Sequence, residues 1–438
     1  MTGTVARPDA DHLFRVPNLA RVEGEGGLRV RVRGGEVAEI ELQIFEPPRF
    51  FEALLRGRDY TEPPDITARI CGICPVAYQT SASQALEQIC GVELPEELRL
   101  LRRLLYCGEW IESHALHVYL LHAPDFLGYD GAIELARDNR DAVERGLRLK
   151  KAGNTLMTLV GGRAVHPVNV RVGGFYKLPA RAELLAVRPD IARALEDAVA
   201  TVELVAGFAF PDLEHDHEYV SLRPANGEYP IENGEIVTSS GLTFPASEFE
   251  SHVSEEHVAR SNALHAHLDD FASYLVGPLA RYSLNSDRLS ATARAAARKA
   301  GLAETCRNPF RSIIVRAVEL VQACEEALAI MDGWDGAAAP AVAVTPKAGV
   351  GYGVSEAPRG ILYHRYELTD DGTIVSARIV PPTSQNQVSM EADVRSVVER
   401  YLDEPSEVLQ ARCEQAIRNY DPCISCATHF LDLRVERE

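Results

Sequence analysis

The sequence predicts a mainly α-helical α+β protein, with long helices in the middle of the chain and short β-hairpins toward its ends. Two observations carry this reading. Apolar residues recur at helical spacing through most of residues 95–335, and two alternating segments turned by glycine mark hairpins at 28–46 and 363–380. The composition fits, because 438 residues that are 46% hydrophobic and 25% charged can bury a large core.

In chain order, LRVRVRGGEVAEIELQIFE (28–46) alternates apolar and polar residues on both sides of Gly34-Gly35, which supply the positive φ angles of a tight turn. Residues 95–122 place Leu98, Leu101, Leu105 and Leu116 on one helical face, and 182–206, 255–275 and 286–300 also read as helices. Asn308-Pro309 supplies a cap and a first-turn proline to a long helix through Ile313, Ala317, Leu320 and Cys324. The run GAAAPAVAVTP (336–346) is a connector, and YHRYELTDDGTIVSARIV (363–380) turns at Asp371-Gly372. A last helix, about 406–419, must stop near Asp421, because Pro422 pushes the preceding residue out of the α region, so Cys423 falls on a turn or loop. The expected organisation is a single unit over 1–438: an N-terminal hairpin region (20–60), a helical core (95–335), a second hairpin region (350–390) and a C-terminal segment (391–429).

Charge narrows the function. With 45 Lys+Arg against 64 Asp+Glu the formal charge is -19, and such a surface repels phosphate backbones and anionic lipid, which argues against nucleic-acid binding. No stretch approaches the ~18 apolar residues of a membrane span, and MTGTVARPDADHLF lacks a basic-then-apolar signal region. The expected location is cytoplasmic, although a subunit can also be carried across a membrane by a partner.

Nine cysteines, an odd and sparse set, argue for reduced thiols. Cys90, Cys107, Cys306, Cys324 and Cys413 are scattered singly and read as small buried hydrophobes. The other four form two CxxC pairs, Cys71/Cys74 and Cys423/Cys426. Two such pairs supply four soft ligands for zinc, an iron-sulfur cluster or nickel, and spacing alone does not choose among them. The 348 residues between Cys74 and Cys423 disfavour a zinc ribbon, and CISCATH lacks the adjacent histidine of a c-type haem site.

RICGIC (69–74) and DPCISCATH (421–429) resemble the two signature motifs of the nickel-iron hydrogenase large subunit. RVEG (21–24), GGRAVHP (161–167), GPLAR (277–281), NPF (308–310), EAPRG (356–360) and PTSQN (382–386) extend the resemblance along nearly the whole chain. Chain length and motif details look most like the soluble, NAD(P)-linked bidirectional branch. The resemblance implies that family's large-subunit fold, with long helices around a buried bimetallic site and peripheral β-hairpins. It implies reversible oxidation of H2 at a nickel ion and an iron carrying carbon monoxide and cyanide. Cys71 and Cys423 would be terminal nickel ligands, and Cys74 and Cys426 would bridge the metals. Arg359, Pro358 and Thr383 match the pocket for the diatomic ligands, and Asp421 matches a carboxylate beside that arginine. Glu23 matches the proton-transfer carboxyl, a role that needs burial to raise its pKa toward neutrality. Glu52 and His429 match a divalent cation site, magnesium in most members. His166 matches a family histidine whose role stays open.

Two departures alter hydrogen bonding near the site: Tyr78 stands where many members have a histidine, and Ser113 where many uptake enzymes have an aspartate. Once the four ligands are assigned, no further cysteine cluster or GxGxxG turn remains to carry electrons away. The resemblance therefore implies an iron-sulfur small subunit and a flavin and NAD(P)-binding diaphorase module. A maturation endopeptidase and nickel-insertion chaperones are implied with them, residues 430–438 being an extension cut after His429 in many members. Two other readings stand beside this one. One is a zinc-stabilised subunit without catalysis. The other is the quinone-site subunit of respiratory complex I, which shares the fold but lacks the full cysteine set.

Overall fold

The computed structural model describes residues 12–428, and it is built as helices around a central buried helix, with three small sheets and two two-stranded ribbons. The centre is Ser312–Gly333, whose first thirteen residues are all buried, because Ile313, Val315, Ala317, Leu320 and Val321 leave no polar face wide enough to reach water. Against it pack Arg181–Ala206 and Glu96–Leu116, and Arg140–Gly161 packs on the latter. Glu96–Leu116 continues into a π-helical turn, His117–His122. Asn308 caps as expected, its side chain accepting from the Phe310 N–H at 3.0 Å, although a short 3-10 turn precedes the long helix.

Each expected hairpin gains a strand. Gly26–Arg33 and Glu36–Ile44 pair antiparallel, and His12–Val16 adds an outer strand. Gly360–Leu368 and Ile374–Val380 pair around the turn at Asp371-Gly372, and Gly349–Ala357 completes that sheet. This last strand lies directly on the helix Pro75–Cys90 that follows the first cysteine pair. A Cβ at Gly353 would stand 1.9 Å from the Ser81 carbonyl oxygen, so only glycine permits the approach. That sheet is consequently part of the core.

Two expected helices differ. Residues 255–275 contain the antiparallel strands Val253–His257 and Leu264–Leu268 and the short strand Tyr274–Leu275. Alternation of Leu264, Ala266 and Leu268 with two histidines has period two, and Ala266 and Leu268 join a second apolar cluster with Val220, Ile236, Phe249 and Tyr363. The sheet built on Glu218–Arg223 and Glu235–Thr238 belongs with them, so the expected helical stretch 95–335 is interrupted by β structure from 218 to 275. The helix expected at 286–300 begins only at Ala291, where Ser290 caps it by accepting from the Ala293 N–H at 3.1 Å. Ser406–Arg418 forms as expected and leaves Cys423 outside it.

Candidate metal centre

Cys71 lies in the loop before Pro75–Cys90, and Cys74 is the residue that begins that helix, with Pro75 at its first position. The free N–H groups there are taken by Glu109, which accepts from Val76 at 2.6 Å and Ala77 at 3.2 Å. Cys423 precedes the short helix Ile424–Ala427, which carries Cys426. Asp421 adopts φ +51°, a left-handed turn that Asp tolerates better than most residues and that swings the second pair back toward the first. The four buried Sγ atoms lie within 4.8 Å of one another. Cys71 is 3.4 Å from Cys423, Cys74 is 3.6 Å from Cys426, and Cys423 is 2.6 Å from Cys426.

Three straps hold the second pair in place. Glu23 runs parallel to Cys423: its carbonyl accepts from the Ile424 N–H at 3.0 Å, and its Oε2 accepts from the Ser425 N–H at 3.1 Å and the Cys423 thiol at 3.2 Å. Thr383 Oγ1 accepts from the Cys423 N–H at 3.0 Å. Arg359 donates from Nε to the Asp421 carbonyl at 2.6 Å and from Nη2 to Asp421 Oδ1 at 3.1 Å. The arginine is itself placed from behind, since Arg281 donates to the carbonyls of Ala357 and Pro358 and pairs with Glu319 and Glu356. Gly277, at φ +107°, adds to this placement, because a Cβ there would stand 2.5 Å from the Arg359 carbonyl oxygen.

The electrostatics follow from burial. Glu23 is pushed up by desolvation and by negative charge on Cys71, and Asp421 is raised by desolvation against the pull of Arg359. Burial pushes the Cys423 thiol well up, whereas Cys71 is lowered, first by its contact with Cys423. Arg359 is 2% exposed, and its Nη1 has no hydrogen-bond partner among the described residues, nor has Asp421 Oδ2. An orphaned guanidinium N–H beside four thiols is costly unless a bound group accepts from it. The donor set therefore fits two soft metal ions whose small anionic ligands need a donor in a dry pocket.

The structure thus brings Cys71, Cys74, Cys423, Cys426, Glu23, Pro358, Arg359, Thr383 and Asp421 together. Glu52 lies apart on Phe51–Leu55, buried, accepting from the Ile379 N–H at 2.7 Å. The C-terminal segment reaches its neighbourhood, since the Arg49 N–H donates to the Thr428 carbonyl at 2.8 Å, but His429 and 430–438 lie outside the described residues. His166 Nδ1 donates to the Ala68 carbonyl at 2.6 Å, bracing the stretch before Cys71. Tyr78 is fully buried near Cys426 and Cys74, whose charges add to desolvation in raising its hydroxyl pKa well up. Ser113 is buried. Sequence reasoning missed Glu109, Arg281 and Arg49, whose Nη2 donates to both the Ile70 and Ser425 carbonyls and so ties one cysteine segment to the other.

Fold and site together define a metalloprotein subunit built around a buried four-thiol centre. The family profile for nickel-dependent hydrogenases matches residues 49–145 and 258–429. The alpha subunit of sulfhydrogenase 1 from Pyrococcus furiosus is 35% identical over 425 residues, covering 95% of this chain and 98% of that one. The beta subunit of the NAD-reducing hydrogenase HoxS from Cupriavidus necator is 27% identical, covering 94% of each. Among solved structures, an NAD+-reducing NiFe-hydrogenase in the H2-reduced state superposes with a TM-score of 0.87 at 28% identity, covering 95% of this chain and 99% of the other. The chain belongs to the nickel-dependent hydrogenase family, as a large, catalytic subunit of the nickel-iron type.

Proposed function

We propose that this chain, with an iron-sulfur small subunit, oxidises H2 reversibly to protons and electrons and delivers the electrons to NAD(P) through a flavin-containing diaphorase. The observation that carries the reading is the convergence of four buried Sγ atoms on the unsatisfied Nη1 of Arg359, with the Glu23 carboxyl against Cys423. A nickel-iron centre, when bound, supplies the Lewis acidity and redox capacity that cleave H2 heterolytically. Cys71 and Cys423 would hold nickel, and Cys74 and Cys426 would hold both metals. Arg359 Nη1 would donate to a cyanide on the iron and Pro358 would line the same pocket, while Thr383 Oγ1 holds the Cys423 N–H in place.

Glu23 takes and returns the proton. Its Oε2 lies 3.2 Å from Cys423 Sγ, its carboxyl is raised toward neutrality by burial, and it is only partly shielded, so a proton can pass outward. Electrons leave on the side of the Cys71 loop, where Gly72 is exposed and Phe50, Val165, Val168 and Tyr176 present apolar side chains that suit a partner surface. Glu52, with His429, would bind magnesium or a similar cation, and cleavage after His429 by a maturation endopeptidase would follow nickel delivery by its chaperones. No described helix is long and apolar enough to cross a membrane, and we assign the protein to the cytoplasm.

The NAD(P) assignment is supported by the names of the HoxS and NAD+-reducing relatives; the name of the 35%-identical sulfhydrogenase favours sulfur reduction as the second reading. H2-dependent reduction of NAD+, NADP+ and polysulfide by the complex purified from its native host separates them. Metal analysis of the same sample tests the chemistry beneath: nickel in every complex, beside iron in excess because the small subunit's clusters also hold iron, supports it, and zinc without nickel contradicts it.

A further inference from the structure

Away from the thiol centre, two histidines and an aspartate converge. His215 and His217 lie on the segment PDLEHDHE (211–218), and Asp393 lies on the helix Gln387–Tyr401. His217 Nε2 is 2.7 Å from Asp393 Oδ1, His215 Nδ1 contacts the same oxygen, and the three ligand atoms all lie within 4.8 Å of one another. The remaining ligand-type atoms of His217 and Asp393 are already held. His217 Nδ1 meets Ser273 Oγ at 2.8 Å, and Asp393 Oδ2 accepts from the Tyr420 hydroxyl at 2.7 Å. Such outer partners fix a metal-binding imidazole in its tautomer and orient a ligating carboxylate.

Asp393 is 1% exposed, and among the described residues no Arg or Lys pairs with it. Its charge must be met by an imidazolium or by a cation. Two imidazole nitrogens aimed at one carboxylate oxygen are a crowded way to share a proton and a natural way to share an ion. Asp212 and Glu214, exposed on the same segment, add negative potential beside the histidines, while Asp216 pairs with Arg307. The segment carrying both histidines falls outside the stretches matched by the family profile.

We propose that His215, His217 and Asp393 bind one divalent first-row cation of the zinc class, a structural ion distinct from the thiol centre. Two nitrogens and one oxygen form a borderline donor set that favours Zn2+ or Co2+ over Mg2+. Tetrahedral ligation at 2.0–2.1 Å needs ligand atoms roughly 3.3 Å apart, so small rotations of the His217 and His215 rings open the space. Binding releases the protons the imidazoles share with Asp393. The ion would pin 211–218 to the helix Gln387–Tyr401 and, through Tyr420, brace the turn that leads into Cys423.

The test uses nickel-loaded holoenzyme stripped of loosely held ions by a mild chelator and titrated with Co2+. Expected is one equivalent per chain with visible ligand-field bands and no sulfur-to-cobalt charge-transfer bands, and loss of that equivalent in H217Q and D393N. X-ray absorption at the zinc edge of the wild-type protein should show two imidazoles and oxygen in the first shell, whether or not the variants fold. The Glu52 and His429 pair could supply only one imidazole. Absence of cobalt and zinc uptake, uptake unchanged in H217Q and D393N, or a first shell with one imidazole or with sulfur would overturn the site and leave a hydrogen-bonded triad.

Discussion

Replacing Glu23 with Gln removes one exchangeable proton and little else. The amide oxygen can still accept from the Ser425 N–H, which Glu23 Oε2 now meets at 3.1 Å, and the parallel bridge between Glu23 and Cys423 uses backbone atoms only. The structural cost is then about one weakened hydrogen bond, ~0.5–1.5 kcal/mol, small for a chain with so large a buried core. The chemical cost is larger. A positioned acid-base group contributes roughly 10²–10⁴ in rate, or about 2.7–5.4 kcal/mol at 1.36 kcal/mol per decade. Turnover of H2 and hydrogen-deuterium exchange should therefore fall together by that factor while nickel and iron contents stay at wild-type values. Glu23→Asp, which keeps the carboxyl but draws it back by one methylene from the 3.2 Å contact, should lose less than Gln. Gas-phase mass spectrometry of the exchange reaction reads the outcome directly. Wild-type exchange rates in the Gln variant would remove Glu23 from the proton path, and loss of metal with loss of activity would show a structural role instead.

Cys74→Ser and Cys426→Ser each replace a soft thiolate with a hard, weakly acidic hydroxyl, so metal analysis should find neither a full nickel nor a full iron complement; a Ser variant with both metals and activity would show that these sulfurs do not bridge. His114 is fully buried against Glu319 and desolvation lowers its pKa to about 4. The unfolded chain takes up its proton below pH ~6.5, so stability present above that pH is lost on acidification toward pH 4, at about 1.4 kcal/mol per unit and about 3 kcal/mol in all. Denaturant midpoints of H114Q across this window should show a flatter acid limb than wild type, and parallel limbs would contradict the assignment. Intact-mass measurement on nickel-loaded enzyme should find a C-terminus at His429, whereas active enzyme ending at Glu438 would exclude maturation by cleavage.

The chemistry of the site was readable where it is written in local spacing. Two CxxC pairs, a proline that ends a helix before Cys423, and the short runs around Glu23, Arg359 and Thr383 are contiguous features, and they converge in space. Arg49 and Glu109 left no such trace, because they act on backbone carbonyls and N–H groups far away in sequence, and Arg49 reaches Ser425 across 376 residues. The strands Val253–His257 and Leu264–Leu268 were misread as helix because Glu, Ala and Leu are good helix formers, while long-range packing against Tyr363 and Ile236 decides the matter. Gly349–Ala357 was overlooked for a related reason: glycine weakens a strand pattern locally, and its benefit, contact with the backbone of Ser81 and Ala85, is visible only in three dimensions.

On the function proposed above, the four clustered cysteine sulfurs would hold nickel beside an iron carrying carbon monoxide and cyanide, and the unpartnered Arg359 Nη1 would donate to one of those ligands. Infrared spectroscopy of the enzyme matured in its native host tests it most directly, since no side chain absorbs where metal-bound carbon monoxide and cyanide do. Expected are one carbonyl and two cyanide bands, with a cyanide band displaced in Arg359→Lys, which keeps the charge but loses the planar fork. A protein carrying nickel or zinc on these cysteines with no bands in that region would contradict it.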